Sequence, residues 1–485
     1  MKKIENVKFD RVFYHFEQIS KIPRGSGNEK AISDYLLNFG KDLGLECIQD
    51  GALNIIIKKP ASKGYENVPG VIIQGHMDMV CEKNSDKEHD FKRDPIDLVV
   101  KGDYIYADKT TLGADDGIAI AYSMAILEDR NLQHPAIEVL LTTDEEGGMK
   151  GAMSIQPQYI NGKTILNIDS REEGKLIVSC SGGINTKSIL HIEKINKKEN
   201  TQAYNIVIRG LKGGHSGSEI HLERGNSNKL MGRFLKEVEK NLKYNLVSIN
   251  GGAKETAIPR ECSAIIRINK EDERKLLNIK NRVCEMFKKE FGKKDPDLRI
   301  YILESEDNVD YIISDSSTEK AVNLLYMYPD GMNTSNYDAE GGIESSTNLG
   351  IVKTFEDCIQ YNSSVRSSIS SLKDEIVSKN KCLTELVGGE FLTEAAYPEW
   401  CHKTDSKIKN ICRDVYHKMY GKMPEIISIH SGIECGLLQQ ILGNDIDMIS
   451  FGPDIKDIHT PNEHMSIPSA DRCYEYLIQV LKEIK

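Results

Sequence analysis

The stretch Val71-Ile-Ile-Gln-Gly-His-Met-Asp78 joins a short apolar, β-branched run to a histidine and an aspartate two residues apart. Such a run predicts a buried strand, because β-branched side chains pack well in a sheet. Similar runs precede Asp144-Glu-Glu-Gly-Gly148 and Asn167-Ile-Asp169, and the acidic pair Asp115-Asp116 opens a helix of small and apolar residues. Since open α/β sheets bind ligands at the carboxyl ends of their strands, we expect these groups to meet in one crevice.

The chain of 485 residues is too long for one hydrophobic core, so at least two domains are expected. Strands and helices alternate in residues 1–184, which is typical of an α/β fold with a mostly parallel sheet. Residues 185–392 have a mixed α+β pattern, and the α/β pattern returns in residues 393–485 together with the candidate ligand His459. We therefore predict a catalytic domain formed by the first and last of these segments, with an α+β domain inserted between them.

Charge and composition argue against several classes of function. The net charge of −11 disfavours binding to nucleic acid or to an anionic membrane surface. No apolar run approaches the roughly 18 residues of a membrane span, and the polar start of the chain does not resemble a signal peptide. The 11 cysteines are scattered without a CxxC pair, which favours a reducing compartment, so we expect a cytoplasmic protein.

The clusters combine imidazole with carboxylate, a donor set that favours zinc or a similar divalent metal. His76 and Asp78 would share one face of a regular strand, so one could bind metal while the other orients the imidazole. The consecutive acids Asp144, Glu145 and Glu146 repel one another, which is tolerated where they are exposed or bind a cation. Adjacent side chains diverge, so one glutamate could bind metal while its neighbour acts as general base toward a water molecule.

Each cluster also has a simpler explanation when it is taken alone. Asp115 could be a helix cap and Asp169 a turn residue. His215, in Gly213-Gly-His-Ser-Gly217, could stabilise an oxyanion or belong to a flexible glycine-rich turn. The joint pattern is harder to explain in this way, because every cluster carries ligand-type side chains at a strand end or helix start. The sequence therefore predicts a two-metal hydrolase.

Eight motifs in a fixed order extend this pattern over nearly the whole chain. They are Ile22–Glu29, Gly75–Val80, Thr110–Asp115, Thr143–Gly147, Gly213–Gly217, Ala257–Glu261, His430–Gly436 and His459–Glu463. As an ordered set they resemble the M20 metallopeptidase family, and within it the aminoacyl-histidine (cytosol nonspecific) dipeptidase branch.

The resemblance implies two divalent metal ions, usually zinc, with manganese and cobalt as alternatives. The carboxylate of Asp115 would bridge the two ions. His76 and Asp169 would complete one site, and Glu146 and His459 the other.

The resemblance also implies roles for residues that do not bind metal. Asp78 would orient a metal-binding imidazole, and Glu145 would take a proton from the attacking water and pass it to the leaving amine. The inserted α+β domain would be a lid domain, and His215 in it would contact the scissile carbonyl oxygen. Arg366 would bind the substrate carboxylate, and Glu434 would line the cleft.

The expected activity is hydrolysis of unblocked dipeptides, including Xaa-His dipeptides. The alternatives are an M20 tripeptidase, an N-acyl amino acid amidohydrolase and a catalytically silent peptide-binding protein. Asp116 and Thr256 depart from this branch, which commonly has asparagine at both positions, so substrate preference follows less directly than the chemistry. We expect a small peptide as the partner, and a homodimer is one oligomeric state to test because relatives include dimers.

Overall fold

The computed structural model describes residues 8–305, 310–335 and 342–485. The first seven residues, which contributed to the expectation of no signal peptide, lie outside the described residues. None of the helices in these three ranges is long and apolar enough to span a membrane.

Helices and strands are numbered in chain order over the described residues. The helices are α1 (Asp10–Ser20), α2 (Lys30–Asp42), α3 (Ala114–Glu128), α4 (Glu145–Gly148), α5 (Lys150–Met153), α6 (Ser227–Glu239), α7 (Glu273–Phe291), α8 (Asp315–Met327), α9 (Ser370–Leu386), α10 (Lys407–Tyr420), α11 (Cys435–Leu442) and α12 (Ile467–Glu483). The first strands are β1 (Glu46–Gln49), β2 (Ile55–Lys59), β3 (Val71–His76), β4 (Leu98–Lys101), β5 (Tyr104–Ala107), β6 (Ile137–Thr142), β7 (Thr164–Asn167), β8 (Lys175–Cys180), β9 (Gly182–His191), β10 (Lys194–Asn196), β11 (Thr201–Arg209) and β12 (Gly214–His215). The later strands are β13 (Tyr244–Gly251), β14 (Ala257–Ile258), β15 (Cys262–Asn269), β16 (Arg299–Glu304), β17 (Tyr311–Ile313), β18 (Gly331–Ser335), β19 (Ile343–Thr354), β20 (Cys358–Ser367), β21 (Glu390–Tyr397), β22 (Glu425–Ile429), β23 (Asp447–Ser450), β24 (Ile455–Lys456) and β25 (His464–Ser466).

The chain divides into two compact units. Unit 1 consists of Met1–Cys180, Trp400–Ser428 and Ile433–Lys485, and unit 2 of Ser181–Glu399 and Ile429–Gly432. The predicted boundaries at 184/185 and 392/393, and the assignment of one part as catalytic and the other as a lid, stay predictions.

Unit 1 is built on an eight-stranded sheet with the order β1-β2-β6-β3-β7-β23-β8-β22. The central pairs β6/β3, β3/β7 and β7/β23 are parallel, whereas β1/β2, β2/β6 and β8/β23 are antiparallel. The α/β fold is therefore confirmed, with a mixed sheet whose parallel part is its centre. The edge strand β1 is joined to β2 by a short loop, and a short connection of this kind can only join antiparallel neighbours.

The centre of this sheet is buried on both faces. All residues of β3 and β6 are buried, as expected for parallel strands that are covered on both sides. Helix α3 packs near them and is buried over almost its whole circumference, which explains its small and apolar composition. The ends of β3, β6 and β7 and the start of α3 therefore belong to a densely packed core.

Unit 2 has a nine-stranded antiparallel sheet in which β16-β11-β15-β13-β19-β20-β9-β21 follow one another and β18 pairs with β19. The helices α6 to α9 lie in the same unit. Helix α6 is capped by Asn226, whose side chain accepts the N–H groups of Asn228 and Lys229. Its buried side chains, among them Leu230 and Phe234, recur with helical spacing and face the core of the unit.

Candidate active site

The parallel centre of the unit 1 sheet brings three sequence clusters to one edge. In the β3/β6 pair His76 lies opposite Thr142, and in the β3/β7 pair Gln74 lies opposite Asn167. Each strand then ends, so the residues that follow β6 and β7 emerge beside His76. This is the arrangement expected at the carboxyl ends of parallel strands.

Asp115 lies between two histidines. Its Oδ1 is 3.5 Å from Nε2 of His76, and its Oδ2 is 3.4 Å from Nε2 of His459. The same nitrogen of His459 is 2.6 Å from Oε1 of Glu146. Asp115, Glu146 and His459 can thus offer ligand atoms that lie within 4.8 Å of one another.

A second donor set lies on the other side of Asp115. His76, Asp116 and Asp169 can each offer a ligand atom within 4.8 Å of the others. Among the described residues, neither Nε2 of His76 nor Oδ1 of Asp169 has a hydrogen-bond partner, although both atoms are buried. Buried polar atoms normally have a partner, and a divalent cation would provide one. The residues present therefore fit a divalent metal, and the five predicted ligands lie close together.

The electrostatics of the cluster also favour a cation. Burial and the adjacent charge of Asp115 raise the pKa of Asp169 to about 7. Burial would also raise the pKa of Asp115, but Arg171, His459 and His76 together lower it well below its usual range. Carboxylates held this close repel one another unless a positive charge lies between them.

Asp116 is drawn into this crowded region as well. Its Oδ2 accepts the backbone N–H of His76 at 3.3 Å. Burial, with a further contribution from Asp169, raises the pKa of Asp116 well above its usual range.

Asp78 connects the imidazole of His76 to the acidic turn. Nδ1 of His76 is 3.1 Å from the Asp78 carbonyl oxygen and 3.3 Å from Oδ1 of the same residue. The Asp78 carboxylate also accepts the N–H groups of Glu145 at 3.0 Å and Glu146 at 3.2 Å, and the hydroxyl of Ser26 at 2.7 Å. These contacts fix the ring so that Nε2 of His76 faces the candidate metal-ligand atoms around Asp115.

Glu463 supports the turn that precedes Asp115, a role that the sequence did not reveal. Its carboxylate accepts the N–H groups of Leu112 at 2.8 Å, Gly113 at 3.0 Å and Ala114 at 2.8 Å. Glu463 is the last residue of the motif His459–Glu463, but nothing in its spacing indicates a partner so distant in the chain.

Arg24 supports the same region from the N-terminal part of the chain and was also missed. Its buried guanidinium donates to the carbonyl oxygens of Met77 at 2.8 Å and Asp78 at 3.2 Å, and to that of Gly113. Arg24 therefore ties the end of β3 to the start of α3, which are the elements that carry His76 and Asp115.

Glu434 is buried against the sheet of unit 1. One carboxylate oxygen, Oε2, accepts Nε2–H of Gln74 and the hydroxyl of Thr142, both at 2.6 Å. The other oxygen, Oε1, has no hydrogen-bond partner among the described residues. Burial raises the pKa of Glu434 to about 7.

In unit 2 the strand pair β12/β14 holds His215 opposite Ala257 and so joins two of the sequence motifs. Nδ1 of His215 accepts the N–H groups of Gly217 at 3.2 Å and Ser218 at 3.1 Å. Because Nδ1 accepts, the ring proton of the neutral imidazole lies on Nε2. Thr256 is exposed, and its carbonyl oxygen accepts the N–H of Ser216 at 2.8 Å, so this residue holds the His215 loop through its backbone.

Arg366 lies on β20 and is only 6% exposed. Its guanidinium donates to the hydroxyl of Tyr397 at 2.6 Å, and its Nε has no hydrogen-bond partner among the described residues. The Tyr397 ring packs directly on Gly183 and Gly432, where a Cβ atom would lie 2.3 and 2.4 Å from ring atoms. The Tyr397 ring can therefore reach Arg366 only because both of these positions are glycine. The sequence pattern did not indicate a role for Tyr397.

His430 is held between two serine hydroxyls in unit 2. Its Nδ1 is 2.8 Å from the hydroxyl of Ser181, and its Nε2 is 2.6 Å from that of Ser346, which lies opposite Arg366 in the β19/β20 pair. Burial and the positive charge of Arg366 lower the pKa of His430 to about 3. His430 is therefore a neutral imidazole near the buried, positively charged Arg366.

Comparison with known proteins identifies the family. A model of peptidase family M20/M25/M40 matches residues 72–483. The chain is 37% identical over 469 residues to the cytosol non-specific dipeptidase of Escherichia coli (strain K12), which covers 97% of this chain and 96% of that protein. The crystal structure of aminoacylhistidine dipeptidase from Vibrio alginolyticus superposes with a TM-score of 0.91 at 35% identity, covering 99% of this chain and 98% of that one. Aminopeptidase PepT from Bacillus cereus shares the fold alone, with a TM-score of 0.57 at 17% identity and 99% of each chain covered. The family resemblance is therefore confirmed, and the chain belongs to peptidase family M20/M25/M40.

Proposed function

We propose that this protein is a metal-dependent dipeptidase that hydrolyses unblocked dipeptides, including Xaa-His dipeptides. The observation that carries the proposal is the position of Asp115, whose two carboxylate oxygens face His76 and His459 at 3.5 and 3.4 Å. A carboxylate that lies between one histidine of each donor set suits a two-metal hydrolase. The names of the two relatives that match nearly the whole chain support the substrate class.

The proposed cofactors are two divalent ions, zinc in the first instance, with manganese and cobalt as alternatives. His76 and Asp169 would hold one ion and Glu146 and His459 the other, with Asp115 between them. Ions bound there would act as Lewis acids on the scissile carbonyl and make a water molecule more acidic. Mixed nitrogen and oxygen ligands suit all three metals, so the native ion must be measured.

Glu145 is the proposed general base. Burial raises the pKa of its carboxyl well above the usual range, with His76 opposing and Asp169 reinforcing the effect. A carboxylate with a raised pKa takes a proton from the attacking water more readily and can then deliver it to the leaving amine. Asp78 would orient both the His76 imidazole and the backbone of Glu145.

His215 is proposed to stabilise the developing negative charge on the carbonyl oxygen. Its Nδ1 already accepts two backbone N–H groups, so Nε2–H is the donor it can offer. A neutral imidazole that is pre-oriented in this way is a suitable donor to an oxyanion.

Arg366 and Glu434 are proposed to recognise the two charged ends of a dipeptide. The buried guanidinium of Arg366 would bind the substrate carboxylate through donors that Tyr397 leaves free. Oε1 of Glu434 would accept the substrate ammonium group. A substrate that lacks either charge, such as an N-acyl amino acid, would lose one of these contacts.

We place the protein in the cytoplasm, on the basis of the cytosolic relative and of cysteines that show no disulfide pattern. Its oligomeric state, monomer or homodimer, can be measured by light scattering.

The test is hydrolysis by chelator-treated protein before and after addition of Zn²⁺, Mn²⁺ or Co²⁺. The panel contains several dipeptides, one of them Xaa-His, a tripeptide and an N-acetyl amino acid. We expect metal-restored cleavage that is confined to the dipeptides. Preference for the tripeptide or the acylated substrate would contradict the substrate class, and no turnover with any metal would favour a silent peptide-binding protein.

A further inference from the structure

Arg171 reaches into the donor cluster although neither the sequence pattern nor the proposed mechanism uses it. Its guanidinium lies 3.2 Å from Oδ2 of Asp115. This is the same oxygen that lies 3.4 Å from Nε2 of His459, so the contact is on the side of Glu146 and His459. A permanent cation therefore touches the shared carboxylate where a metal ion would bind it.

The exposure of the two partners differs strongly. The side chain of Asp115 is 3% exposed, whereas that of Arg171 is 42% exposed. Arg171 also interacts electrostatically with Asp169, Glu146 and Glu145, so its charge offsets the mutual repulsion of the carboxylates. A long, half-exposed side chain can withdraw into solvent, whereas a buried aspartate at the start of a helix cannot follow it.

The backbone beneath Arg171 is held independently of its side chain. The carbonyl oxygen of Arg171 accepts the N–H of Ile455 at 3.1 Å. A substitution that removes the guanidinium therefore leaves this backbone contact in place.

We propose that Arg171 is a built-in counter-cation that competes with the metal ion held by Glu146 and His459. Two cations that share one carboxylate oxygen repel each other, and the repulsion is strong in a buried site. The half of the site with His76 and Asp169 would then fill first, and filling of the other half would require Arg171 to leave Asp115. This inference rests on the two-metal site of the proposed function and adds an order of loading to it.

The test is titration of chelator-treated protein with Zn²⁺ in competition with a coloured chelator, for the wild type and for Arg171→Gln. We expect two dissociation constants in the wild type, of which the weaker falls at least tenfold in Arg171→Gln while the tighter changes less than threefold. Arg171→Lys keeps the charge and should resemble the wild type. His459→Gln identifies the weaker phase, because it removes a ligand of that half alone.

Arg472→Gln is the matched control. Arg472 is 46% exposed and pairs with Glu173 at 2.8 and 2.6 Å in the same unit, so its loss removes an equal charge from a comparably exposed ion pair. Both zinc constants should stay within twofold of the wild type. An equal tightening in Arg472→Gln would overturn the proposal, because general charge and not the contact with Asp115 would then be responsible.

A second measurement is the melting temperature of the protein without metal. Loss of the counter-cation should lower the melting temperature of Arg171→Gln without metal, and saturating Zn²⁺ should remove the difference. Unchanged zinc affinities in Arg171→Gln would overturn the role of Arg171, yet dipeptide hydrolysis at saturating zinc would leave the proposed function standing. Failure of the wild type to bind Zn²⁺, Mn²⁺ or Co²⁺ would overturn both.

Discussion

The two units carry functional clusters of opposite character. In unit 1 the carboxylates of Asp115, Glu146 and Asp169 crowd around two histidines at the ends of buried parallel strands. In unit 2 a buried arginine and two imidazoles are held by hydroxyls and backbone groups on antiparallel strands. The first cluster is rich in carboxylates, whereas the second contains the buried guanidinium of Arg366, so the two clusters differ in charge.

The sheet topology explains how each cluster is built. Parallel strands end at the same edge, so ligand residues that follow separate strands meet without a dedicated side-chain framework. Antiparallel strands place partners opposite one another, and Arg366 accordingly lies across from Ser346. The carboxylate and histidine cluster of unit 1 is thus a product of strand order, whereas the surroundings of Arg366 in unit 2 are a product of pairing register.

The largest expected effect comes from Glu145, the proposed general base in unit 1. Glu145→Ala should retain both metal ions but lose at least about 10³-fold in kcat, because no other group would take the proton of the attacking water. Kinetics combined with metal analysis measure both properties. Glu172→Ala is the control, since Glu172 is exposed and pairs only with Lys175 in the described residues. Retained turnover in Glu145→Ala would contradict the proposal that Glu145 is the general base.

The next effect concerns the donor proposed in unit 2. His215→Ala should lower kcat about 10²-fold or more through loss of an oxyanion donor, with an unchanged metal content. His221→Ala, a substitution of an exposed histidine in the same unit, should stay near the wild type. If the two variants were equally active, His215 would be only a loop residue.

The third effect is a pH dependence of stability in unit 2. His430 has a folded pKa of about 3 against a reference value of 6.5, so between these values the unfolded chain binds the extra proton. Stability from this group is present above the unfolded pKa and is lost as the pH falls. The loss from pH 7 to 5 should be about 2 kcal/mol.

Denaturant unfolding of the metal-free protein at these two pH values measures this contribution. His430→Asn should flatten the pH dependence, whereas His191→Asn, at an exposed histidine of unit 2, should keep that of the wild type. An unchanged slope in His430→Asn would show that other groups carry the pH dependence.

The smallest effect tests how Tyr397 positions Arg366 in unit 2. Tyr397→Phe removes one hydrogen bond to Arg366 and should raise KM about tenfold with kcat within about twofold. A dipeptide amide, which lacks the carboxylate, should be much less sensitive to this change. Tyr326→Phe, at an exposed tyrosine of the same unit, serves as the control. Equal changes in KM for both substrates would argue against carboxylate binding by Arg366.

Much of unit 1 could be predicted because its signals are local. The apolar runs before His76, Asp144 and Asp169 predict strands from a few residues each, and one rule about parallel sheets then brings their ends together. The same rule did not predict that the outer strands of this sheet are antiparallel, since strand direction depends on how distant segments pair.

The supporting residues could not be predicted in this way. Glu463 binds the backbone at Leu112 across 351 residues of chain, and no periodicity records such a contact. Tyr397 reaches Arg366 only because Gly183 and Gly432 leave room for its ring. Neither glycine lies near Tyr397 in sequence, so their shared purpose is visible only when the chain is folded.

The sequence by itself determined the chemical types of the site and the α/β character of the unit that carries them, because residue identity and hydrophobic periodicity are local properties. Only the tertiary structure decided which oxygen of Asp115 faces which histidine, which backbone groups contact Nδ1 of His215, and that Arg171 lies against the Asp115 oxygen that faces His459. These features depend on distances of a few ångströms between segments far apart in the chain, and such distances are set by packing.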